Sequence, residues 1–407
     1  MEAAATADAP SAEPSTSSLD AFLSECGLSS VSAKLSGDTL ESLVQIHYGL
    51  DIYGTAGPEH ADPQKAGRKA LLEHLQQLGL NLKERQTLAN NIAKASRDGR
   101  AGFAETAEEI ANRVAWLDGG EPSTEPPWPP SSRPFLVFTS AGDANNVPKW
   151  LVPEHEREWD LVVAYYGESE VEPPCMQVAD HSLRMKGGKF PNLLRAMRQQ
   201  YAYFASFEAI LVADDDLDSI GADSITRLFQ LRRQHDLWLL QPANHSMAGK
   251  ADFRELRSIG GNNELRFVNF IEVTAPLIRT DKLIGFLKEY IPRRHENRLL
   301  VGYGIDGWLC QWLLGIADAK SGDALHKDKA AVVDSITFIN PTNEEKKNGR
   351  EIDRLQEFGK RVDEWQTICK KRGLSENVTF RIFGGIEKDG QRVEEYVWKL
   401  KSEVELS

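Results

Sequence analysis

The residues best suited to chemistry are three consecutive aspartates, Asp214, Asp215 and Asp216. They end the segment FEAILVADDDL (207–217), in which an apolar run predicts a buried strand of a parallel sheet. Active sites of open α/β sheets lie just beyond the carboxyl ends of the strands, so the three carboxylates are expected at such a site. Adjacent carboxylates repel one another, and a hard cation such as Mg²⁺ or Mn²⁺ would offset that repulsion because it prefers carboxylate oxygen.

Alternation along the strand directs Asp214 and Asp216 to one face of the sheet and Asp215 to the other. The acidic run also has two simpler interpretations. One is a solvated turn, and the other is that Asp216 caps the helix that follows. The residues alone leave the metal site, the turn and the helix cap open.

The segments around the aspartates predict an α/β fold with a mostly parallel, Rossmann-like sheet flanked by helices. Apolar strands and amphipathic helices alternate from residue 135 onward. Strands are predicted at 135–140, 159–167, 207–217, 237–243 and 332–340, and helices at 190–204 and 224–237. A further segment, FVNFIEVTAPLIRTDKL (267–283), predicts a strand that turns at Pro276 into a helix beginning near Thr280.

The loop after the first predicted strand, which contains Ser140 and Asp143, is placed to bind a nucleotide or a sugar phosphate through its backbone N–H groups. The sequence contains neither a GxGxxG fingerprint nor a GxxxxGK[ST] P-loop. Lys186 and Lys189 flank a Gly-Gly pair before a predicted helix. They are candidates to bind phosphate oxygens, and solvated lysines are the alternative.

Two further carboxylates are candidates for acid–base chemistry. GYGIDGW (302–308) is a Gly-rich loop that leads into an apolar helix. Asp306 lies at or near the start of that helix, where an ordinary N-cap is the alternative. Glu272 is predicted in the middle of a strand, where a lone acid is costly unless it is paired. Its alternative is a buried carboxylate that is hydrogen-bonded to its neighbours.

Composition narrows the class of protein. The chain has 407 residues and a formal net charge of −13, which argues against general nucleic-acid binding. Its four cysteines are scattered without a CxxC pair, which predicts reduced thiols and a cytoplasmic location. No apolar run approaches the ~20 residues needed to span a bilayer, and the first seventeen residues lack the features of a signal peptide.

Changes in composition along the chain predict its domains. Residues 1–17 are expected to form a disordered tail, and 18–118 a helical bundle without strands. The segment GGEPSTEPPWPPSSRP (119–134) predicts an extended Pro-rich linker. Residues 135–343 form the predicted α/β domain, and 344–407 a surface helix and a closing hairpin packed on it.

Seven motifs occur in an order that resembles the domain of unknown function 707 family. They are AYYG, KGGKFPNLLR, YAYFASFEAILVADDDL, LLQPA, FVNFIEVTAPLI, GYGIDGWLC and VVDSITFINP, and they cover about residues 135–343. The resemblance implies a GT-A fold and transfer of a hexose or pentose from a nucleotide sugar. It also implies that Asp214 and Asp216 are the outer acids of a DxD motif, which holds Mn²⁺ or Mg²⁺ against the diphosphate. Asp215 is the middle residue of that motif and is assigned to the nucleotide-sugar site.

By the same resemblance Asp306 is the first candidate for the general base. Glu272 is the second candidate, and Tyr303 and Trp308 are candidates to line the acceptor site, with a place in the core as the alternative for Trp308. The sequence departs from the family at Asn340, where plant members carry a His after the VVDS strand. Asn ligates a transition metal more weakly than His. Either two carboxylates, phosphate and water hold the metal, or the metal site is degraded and the protein binds its ligand without catalysis.

Residues 18–96 resemble a sterile alpha motif domain through LDAFLSECGL, DTLESLV and GRKALLEHLQQLGL. That resemblance implies self-association or binding of a protein partner. Two hypotheses follow for the whole chain. The first is a metal-dependent glycosyltransferase acting on an unknown glycan, lipid or protein acceptor. The second is a non-catalytic adaptor that binds a nucleotide sugar or glycan. A phosphohydrolase with an Asp nucleophile is disfavoured because no DxDx[TV] follows the strand.

Overall fold

The computed structural model describes residues 19–48, 63–98, 100, 103, 106–119, 126–151, 157–249, 253–293, 299–341 and 351–394. The chain divides into a helical unit, Met1–Ile110 with Pro292–Arg298, and an α/β unit, Ala111–Ile291 with Leu299–Ser407. The tail predicted at residues 1–17 lies outside the described residues.

Short helices that share one apolar core build the helical unit. They are α1 (Leu19–Glu25), a 3₁₀ segment (Ser29–Leu35), α2 (Leu40–Tyr48), α3 (Pro63–Gln77) and α4 (Leu82–Arg97). α4 begins at a capping box, in which Asn81 and Glu84 each bond the other's backbone N–H. The leucines that define the helical periodicity, including Leu43, Leu71 and Leu75, are fully buried. The predicted helical region is therefore confirmed, while its likeness to a sterile alpha motif remains a prediction.

A ten-stranded sheet forms the centre of the α/β unit. Its strands are β1 (Phe135–Ala141), β2 (Trp159–Tyr165), β3 (His181–Arg184), β4 (Ala209–Asp214), β5 (Leu239–Asn244), β6 (Asn263–Val268), β7 (Leu277–Arg279), β8 (Ala330–Phe338), β9 (Ile382–Glu387) and β10 (Arg392–Glu394). They lie in the order β10-β9-β6-β8-β5-β7-β4-β1-β2-β3. Of these described strands, seven run in one direction, while β6, β7 and β10 run the other way.

One helix, α5 (Ala107–Val114), precedes the first strand, and the division of the chain into units falls within it. The helices between the strands are α6 (Pro174–Gln177), α7 (Lys189–Gln199), α8 (Tyr201–Ala205), α9 (Ala222–Gln234), α10 (Thr280–Tyr290), α11 (Ile305–Leu314), α12 (Glu351–Leu355) and α13 (Phe358–Arg372). Every residue of β1 and β2 is buried, as expected for strands covered on both faces. The predicted fold class, a mostly parallel α/β sheet flanked by helices and preceded by a helical region, is confirmed.

Three local expectations are wrong. β6 ends at Val268 and β7 begins after Pro276, so Glu272 lies in the connection between two strands rather than inside one. The reason is that Asn269 leaves the ladder and donates its side-chain N–H groups to loop carbonyls. The helix predicted at 190–204 is divided at Gln200, and the surface helix predicted within 344–407 is, among the described residues, divided into α12 and α13.

The carboxyl-terminal part of the Pro-rich segment is anchored to the α/β unit. Residues 126–134 form neither helix nor strand. The indole of Trp128 stacks on His181 with ring centroids 4.2 Å apart, and its backbone N–H donates to Gln200 Oε1 at 2.9 Å. Gln200 Nε2 in turn donates to the carbonyl of Pro126 at 3.0 Å. The described part of this segment is therefore held in place by side-chain contacts, and the extended linker across 119–134 stays a prediction.

Trp128→Ala is expected to lower the free energy of unfolding by about 1–2 kcal/mol, because it removes a stacked aromatic pair and the area that the pair buries. It should also speed proteolysis within 119–134. Urea denaturation and timed digestion with the broadly specific proteinase K measure the two effects, with Trp128→Phe as the conservative control. Equal digestion rates for Trp128→Ala and the parent chain would show that the indole does not anchor the segment.

The described part of the chain contains no helix that is both long and apolar enough to cross a membrane. All four cysteines are free thiols, as predicted from their spacing.

Candidate nucleotide-sugar and metal site

The strand order reverses at β1, and the space beyond the carboxyl ends of β1 and β4 is called the crevice. β2 and β3 lie on one side of β1, and β4 lies on its other side, all parallel. Ligands of open α/β sheets bind beyond the carboxyl ends of strands at such a switch point. β4 ends at Asp214 and β1 at Ala141, and Ser140 pairs directly with Asp214 in the register. The acidic run therefore begins at the position where a ligand is expected.

Asp214 has a cationic partner within the chain. Lys189, the first residue of α7, donates from Nζ to Asp214 Oδ1 at 2.7 Å. The same ammonium group donates to the carbonyls of Val273 at 2.5 Å and Thr274 at 3.2 Å. The lysine side chain is only 10% exposed. Part of the charge on the acidic run is thus offset by Lys189, which the sequence suggested only as a phosphate ligand.

Asp215 is hydrogen-bonded to the backbone just after the end of β1. Its Oδ2 accepts the backbone N–H of Gly142 at 2.8 Å, and the hydroxyl of Tyr166 lies 3.5 Å away. Burial, together with the charge of Asp216, raises the pKa of Asp215 to about 7. Asp215 and Asp214 thus have different partners, while the division of the three acids between two faces and the role of Asp215 in donor binding remain predictions.

The loop after β1 holds the acidic run on its backbone side. Asn146 donates its backbone N–H to the carbonyl of Asp215 at 2.7 Å and its side-chain N–H to the carbonyl of Asp216 at 2.8 Å. The next helix, α9, has Gly221 as its N-cap. Asp216 is therefore not the cap of that helix, and its carboxylate remains a candidate ligand.

Asn340 lies beside the same run. Ile339 and Asp218 exchange backbone hydrogen bonds of 2.9 and 3.0 Å, which places Asn340 opposite Leu217. The Asn340 side chain is buried, and its Oδ1 has no hydrogen-bond partner among the described residues. A buried acceptor oxygen without a partner is costly, and a cation would satisfy it.

These donors fit a hard divalent cation. Asp214, Asp216 and Asn340 offer carboxylate and amide oxygens, which Mg²⁺ and Mn²⁺ accept. Across the residues that the structure describes, no group of three or more His, Cys, Asp and Glu side chains is arranged to bind a metal. Phosphate and water oxygens would have to complete this coordination shell, as they commonly do for Mg²⁺.

The residues predicted to meet the nucleoside lie on the β1 side of the crevice. Ser140 Oγ accepts from Asn192 Nδ2 at 3.0 Å. Asp143 accepts hydrogen bonds from the hydroxyl of Tyr165 and from the backbone N–H of Glu168, and the Tyr165 bond holds the pKa of Asp143 below its usual range. Lys186 donates to the carboxylate of Glu168 and to the carbonyl of Tyr166. Asp143 and Lys186 are therefore joined through Glu168.

The Gly-rich loop reaches the crevice from the other side. A Cβ atom at position 188 would lie 2.6 Å from the carbonyl oxygen of Val301, so this loop lies against the residue before Lys189. α11 has Gly304 (φ 88°) as its N-cap, and Asp306 lies in the first turn, where its Oδ1 accepts the N–H of Gly307 at 2.8 Å. Asp306 is therefore not the N-cap. It is half-buried and remains a candidate base.

Glu272 is the more enclosed of the two candidate bases. Its side chain is buried, and its backbone N–H donates to Gln241 Oε1 at 2.7 Å. The preceding residue, Ile271, donates its N–H to Cys310 Sγ of α11 at 3.3 Å. The strand connection that carries Glu272 thus lies between β5 and α11.

Some polar residues of the site were not singled out from the sequence. Asn192 is fully buried and holds both Ser140 and the carbonyl of Gly187, Asn146 holds the acidic run, and Tyr166 covers Gly142. A polar residue inside the otherwise apolar FPNLL segment was the available signal for Asn192. No comparable signal marked Asn146, because asparagine in a loop is unremarkable.

Gly188→Ala is expected to lower the free energy of unfolding by about 1–3 kcal/mol, because the added methyl group meets the Val301 backbone and forces the Gly-rich loop away from α7. Gly359→Ala is the matched control, because nothing lies within 4 Å of its Cβ position and it lies in α13. That control should be neutral or slightly stabilising. Thermal melts compare the two variants, and equal melting temperatures would contradict the close contact.

No protein-family model matches the sequence. No curated protein sequence matches it either.

Three solved structures are similar to the chain at low identity. The crystal structure of S. aureus TarS has 11% identity and a TM-score of 0.37, covering 60% of this chain and 40% of that chain. The mannosyltransferase PcManGT from Pyrobaculum calidifontis, in complex with GDP-Man and Mn²⁺, has 12% identity and a TM-score of 0.33, covering 61% of this chain and 67% of that chain. S. aureus TarS 1–349 has 11% identity and a TM-score of 0.33, covering 57% and 69%. The chain therefore spans about two fifths of the TarS structure. At this level of similarity, evidence for the function comes from the chain's own residues.

Proposed function

We propose that the α/β unit is a GT-A-like glycosyltransferase that moves a hexose or pentose from a nucleotide sugar with the help of Mn²⁺ or Mg²⁺. The observation that carries the proposal is the position of the acidic run at the carboxyl end of β4, beside the end of β1, where the strand order reverses. A nucleotide diphosphate is an anion, so a cation at these carboxylates is the simplest way to bind it there.

The donor side of the proposed site has four kinds of residue. Asp214 and Asp216 act as the outer acids of a DxD motif and hold the metal together with Asn340. Ser140 and Asp143 lie at the nucleoside end of the crevice. Lys189 keeps Asp214 in position through its 2.7 Å hydrogen bond and contributes positive potential near the phosphates.

The acceptor side needs a base. When bound, the divalent cation stabilises the negative charge that develops on the departing diphosphate. Asp306 is the proposed group that takes the proton from the acceptor hydroxyl, because it is partly exposed in the loop that lies against Gly188. Glu272 is the second candidate, and its burial disfavours direct contact with a large acceptor.

A non-catalytic adaptor is the alternative, and two observations favour it. Lys189 already occupies Oδ1 of Asp214, and an amide rather than an imidazole stands at position 340. Such a protein would bind a nucleotide sugar or a glycan without turnover and would associate with itself or a partner through residues 18–96.

A donor screen separates the two functions. UDP- and GDP-linked hexoses and pentoses are incubated with the full chain, with Mn²⁺ and with EDTA, and released nucleoside diphosphate is measured. The proposal predicts Mn²⁺-dependent release from at least one donor, lost in EDTA and restored by added Mn²⁺. Mn²⁺-dependent binding of a nucleotide sugar without release of nucleoside diphosphate from any donor would establish the adaptor. Absence of both binding and release would refute both functions.

A further inference from the structure

The ammonium group of Lys189 is saturated by acceptors of the chain itself. An ammonium ion has three N–H donors. Those of Lys189 meet Asp214 Oδ1 at 2.7 Å and the carbonyls of Val273 at 2.5 Å and Thr274 at 3.2 Å. The backbone N–H of Asp214 donates to the same Thr274 carbonyl at 2.8 Å. A phosphate oxygen could bind this ammonium group only by displacing one of these acceptors, so Lys189 is placed as a counter-ion of Asp214.

The packing of α7 determines where this charge lies. Lys189 is the first residue of α7, and Gly188 is the N-cap. A cation is unfavourable there because the N-terminus is the positive end of the helix dipole, and the first turn of α7 contains no acidic residue. Phe190 and Pro191, which follow Lys189, are buried and fix the start of the helix. The carboxylate of Asp214 therefore offsets a charge that α7 holds at the end of β4.

This counter-ion changes what the acidic run offers to a divalent cation. The affinity of an oxygen site for such a cation depends on the number of charged ligands and on its rigidity. Of the three assigned ligands, Asp214 is already paired with Lys189 and Asn340 is a neutral amide, which leaves Asp216. A cation on the Asp214 carboxylate would also lie next to the ammonium ion, and like charges repel. A nucleoside diphosphate would supply the missing negative charge and further oxygen ligands.

We propose that Lys189 is a positioning residue that makes binding of the divalent cation depend on the nucleotide. Without nucleotide, the ammonium ion neutralises Asp214 and keeps the affinity for Mn²⁺ or Mg²⁺ low. With nucleotide, the diphosphate offsets the lysine charge, and cation and nucleotide bind as a pair. The inference rests on the proposed function, because it uses the metal ligands assigned there. By linkage, the nucleotide raises the affinity for the cation by the same factor as the cation raises the affinity for the nucleotide.

Electron paramagnetic resonance of free Mn²⁺ tests this coupling without a sugar donor. The full chain is titrated with Mn²⁺ alone and with UDP or GDP, and Mn²⁺ bound by the nucleotide alone is subtracted. Lys189→Met is expected to raise the affinity for Mn²⁺ without nucleotide by about tenfold or more, because it removes a positive charge in contact with a ligand. The further increase caused by the nucleotide should shrink by the same factor. Lys189→Arg keeps the charge and should behave like the parent chain.

Lys149→Met is the matched control, because it also removes one positive charge next to the acidic run. Lys149 is 61% exposed and pairs at 3.2 Å with Asp218, which is not an assigned metal ligand. This variant should leave the affinity for Mn²⁺ unchanged. An equal increase for Lys149→Met and Lys189→Met would indicate general electrostatics and overturn the specific role of Lys189.

Lys189→Gln separates the proposed role from a structural one. Glutamine keeps N–H donors for the carbonyls and loses the charge, so it should also bind Mn²⁺ more tightly without nucleotide, even if the methionine variant unfolds. Affinity that is unchanged or lower in the neutral variants would overturn the inference. Absence of Mn²⁺ binding in every protein, with and without nucleotide, would overturn both the inference and the metal assignment. Mn²⁺-dependent turnover in the donor screen with unchanged affinity in the neutral variants would overturn the inference alone.

Discussion

Replacing Asp214 and Asp216 together with asparagine is expected to lower the affinity for a nucleoside diphosphate in the presence of Mn²⁺ by about 100-fold or more. In the proposed site each carboxylate contributes a charged oxygen to the cation, and the amide that replaces it is a weaker, neutral donor. Isothermal titration with UDP and GDP, with and without Mn²⁺, measures the loss. Binding of the double variant equal to that of the parent chain would contradict the metal assignment.

Asp218→Asn is the matched control for this experiment. Asp218 follows the same acidic run, but its side chain is 46% exposed and its partner is Lys149 at 3.2 Å. Its replacement should leave nucleotide affinity unchanged. Asparagine at position 214 also keeps an acceptor for the Nζ of Lys189, so thermal melts should show both proteins folded. A fall in affinity shared by all acidic variants would indicate general electrostatics rather than a metal site.

Arg266→Met is expected to lower the free energy of unfolding by about 3–5 kcal/mol. The side chains of Arg266 and Asp334 are 2% and 0% exposed, and Nε lies 2.9 Å from Oδ2. Arg266 also donates to the carbonyls of Glu255 at 2.9 Å and Arg257 at 2.8 Å. Methionine fills similar volume but leaves the carboxylate of Asp334 buried without the positive charge of Arg266 beside it. Urea denaturation of the full chain measures the loss.

An exposed ion pair provides the control. The side chains of Arg233 and Glu208 are 52% and 46% exposed, and Nη2 lies 2.7 Å from Oε1. Arg233→Met should lower the free energy of unfolding by less than about 1 kcal/mol. The double variant Arg266→Met/Asp334→Leu should lose less stability than the sum of its two single variants, because it removes both charges. Equal losses for Arg266→Met and Arg233→Met would contradict the account of this buried pair.

The buried pair of Arg266 and Asp334 is connected to the candidate metal site through Arg257, whose carbonyl accepts from Arg266. Arg257 donates to the carbonyls of His245, at 2.6 Å, and Gly249, at 3.2 Å. Gly249 lies against the backbone of Asn340, with a Cβ position 2.6 Å from its carbonyl oxygen. The buried arginine therefore fixes the segment that carries Arg257, and that residue fixes the loop against Asn340.

Much of the fold follows from local sequence patterns. β1, β2 and β4 are apolar runs that end in polar loops, so their existence and the position of the acids at a strand end were predictable. The start of α10 at Thr280 was also correct. β3, HSLR, was missed because it is short, polar and only partly buried, and it is positioned by pairing with β2.

Contacts between distant residues could not be predicted. Lys189 and Asp214 are 25 residues apart, and nothing local indicated that this lysine would bind an aspartate and two carbonyls. The prediction that Glu272 lies within a strand was wrong for a related reason. The chain leaves β6 at Asn269, whose side chain donates to the carbonyls of Gly322 and Thr379, far along the sequence. Fold class depends on periodicity, whereas these details depend on tertiary packing.

Anomalous diffraction from crystals of the full chain grown with Mn²⁺ and UDP or GDP tests the central claim most directly. The account predicts one strong manganese peak in coordination contact with the carboxylate of Asp216 and a diphosphate oxygen, between the ends of β1 and β4. Nucleotide bound at that crevice without manganese, or manganese bound only away from Asp214, Asp216 and Asn340, would contradict it.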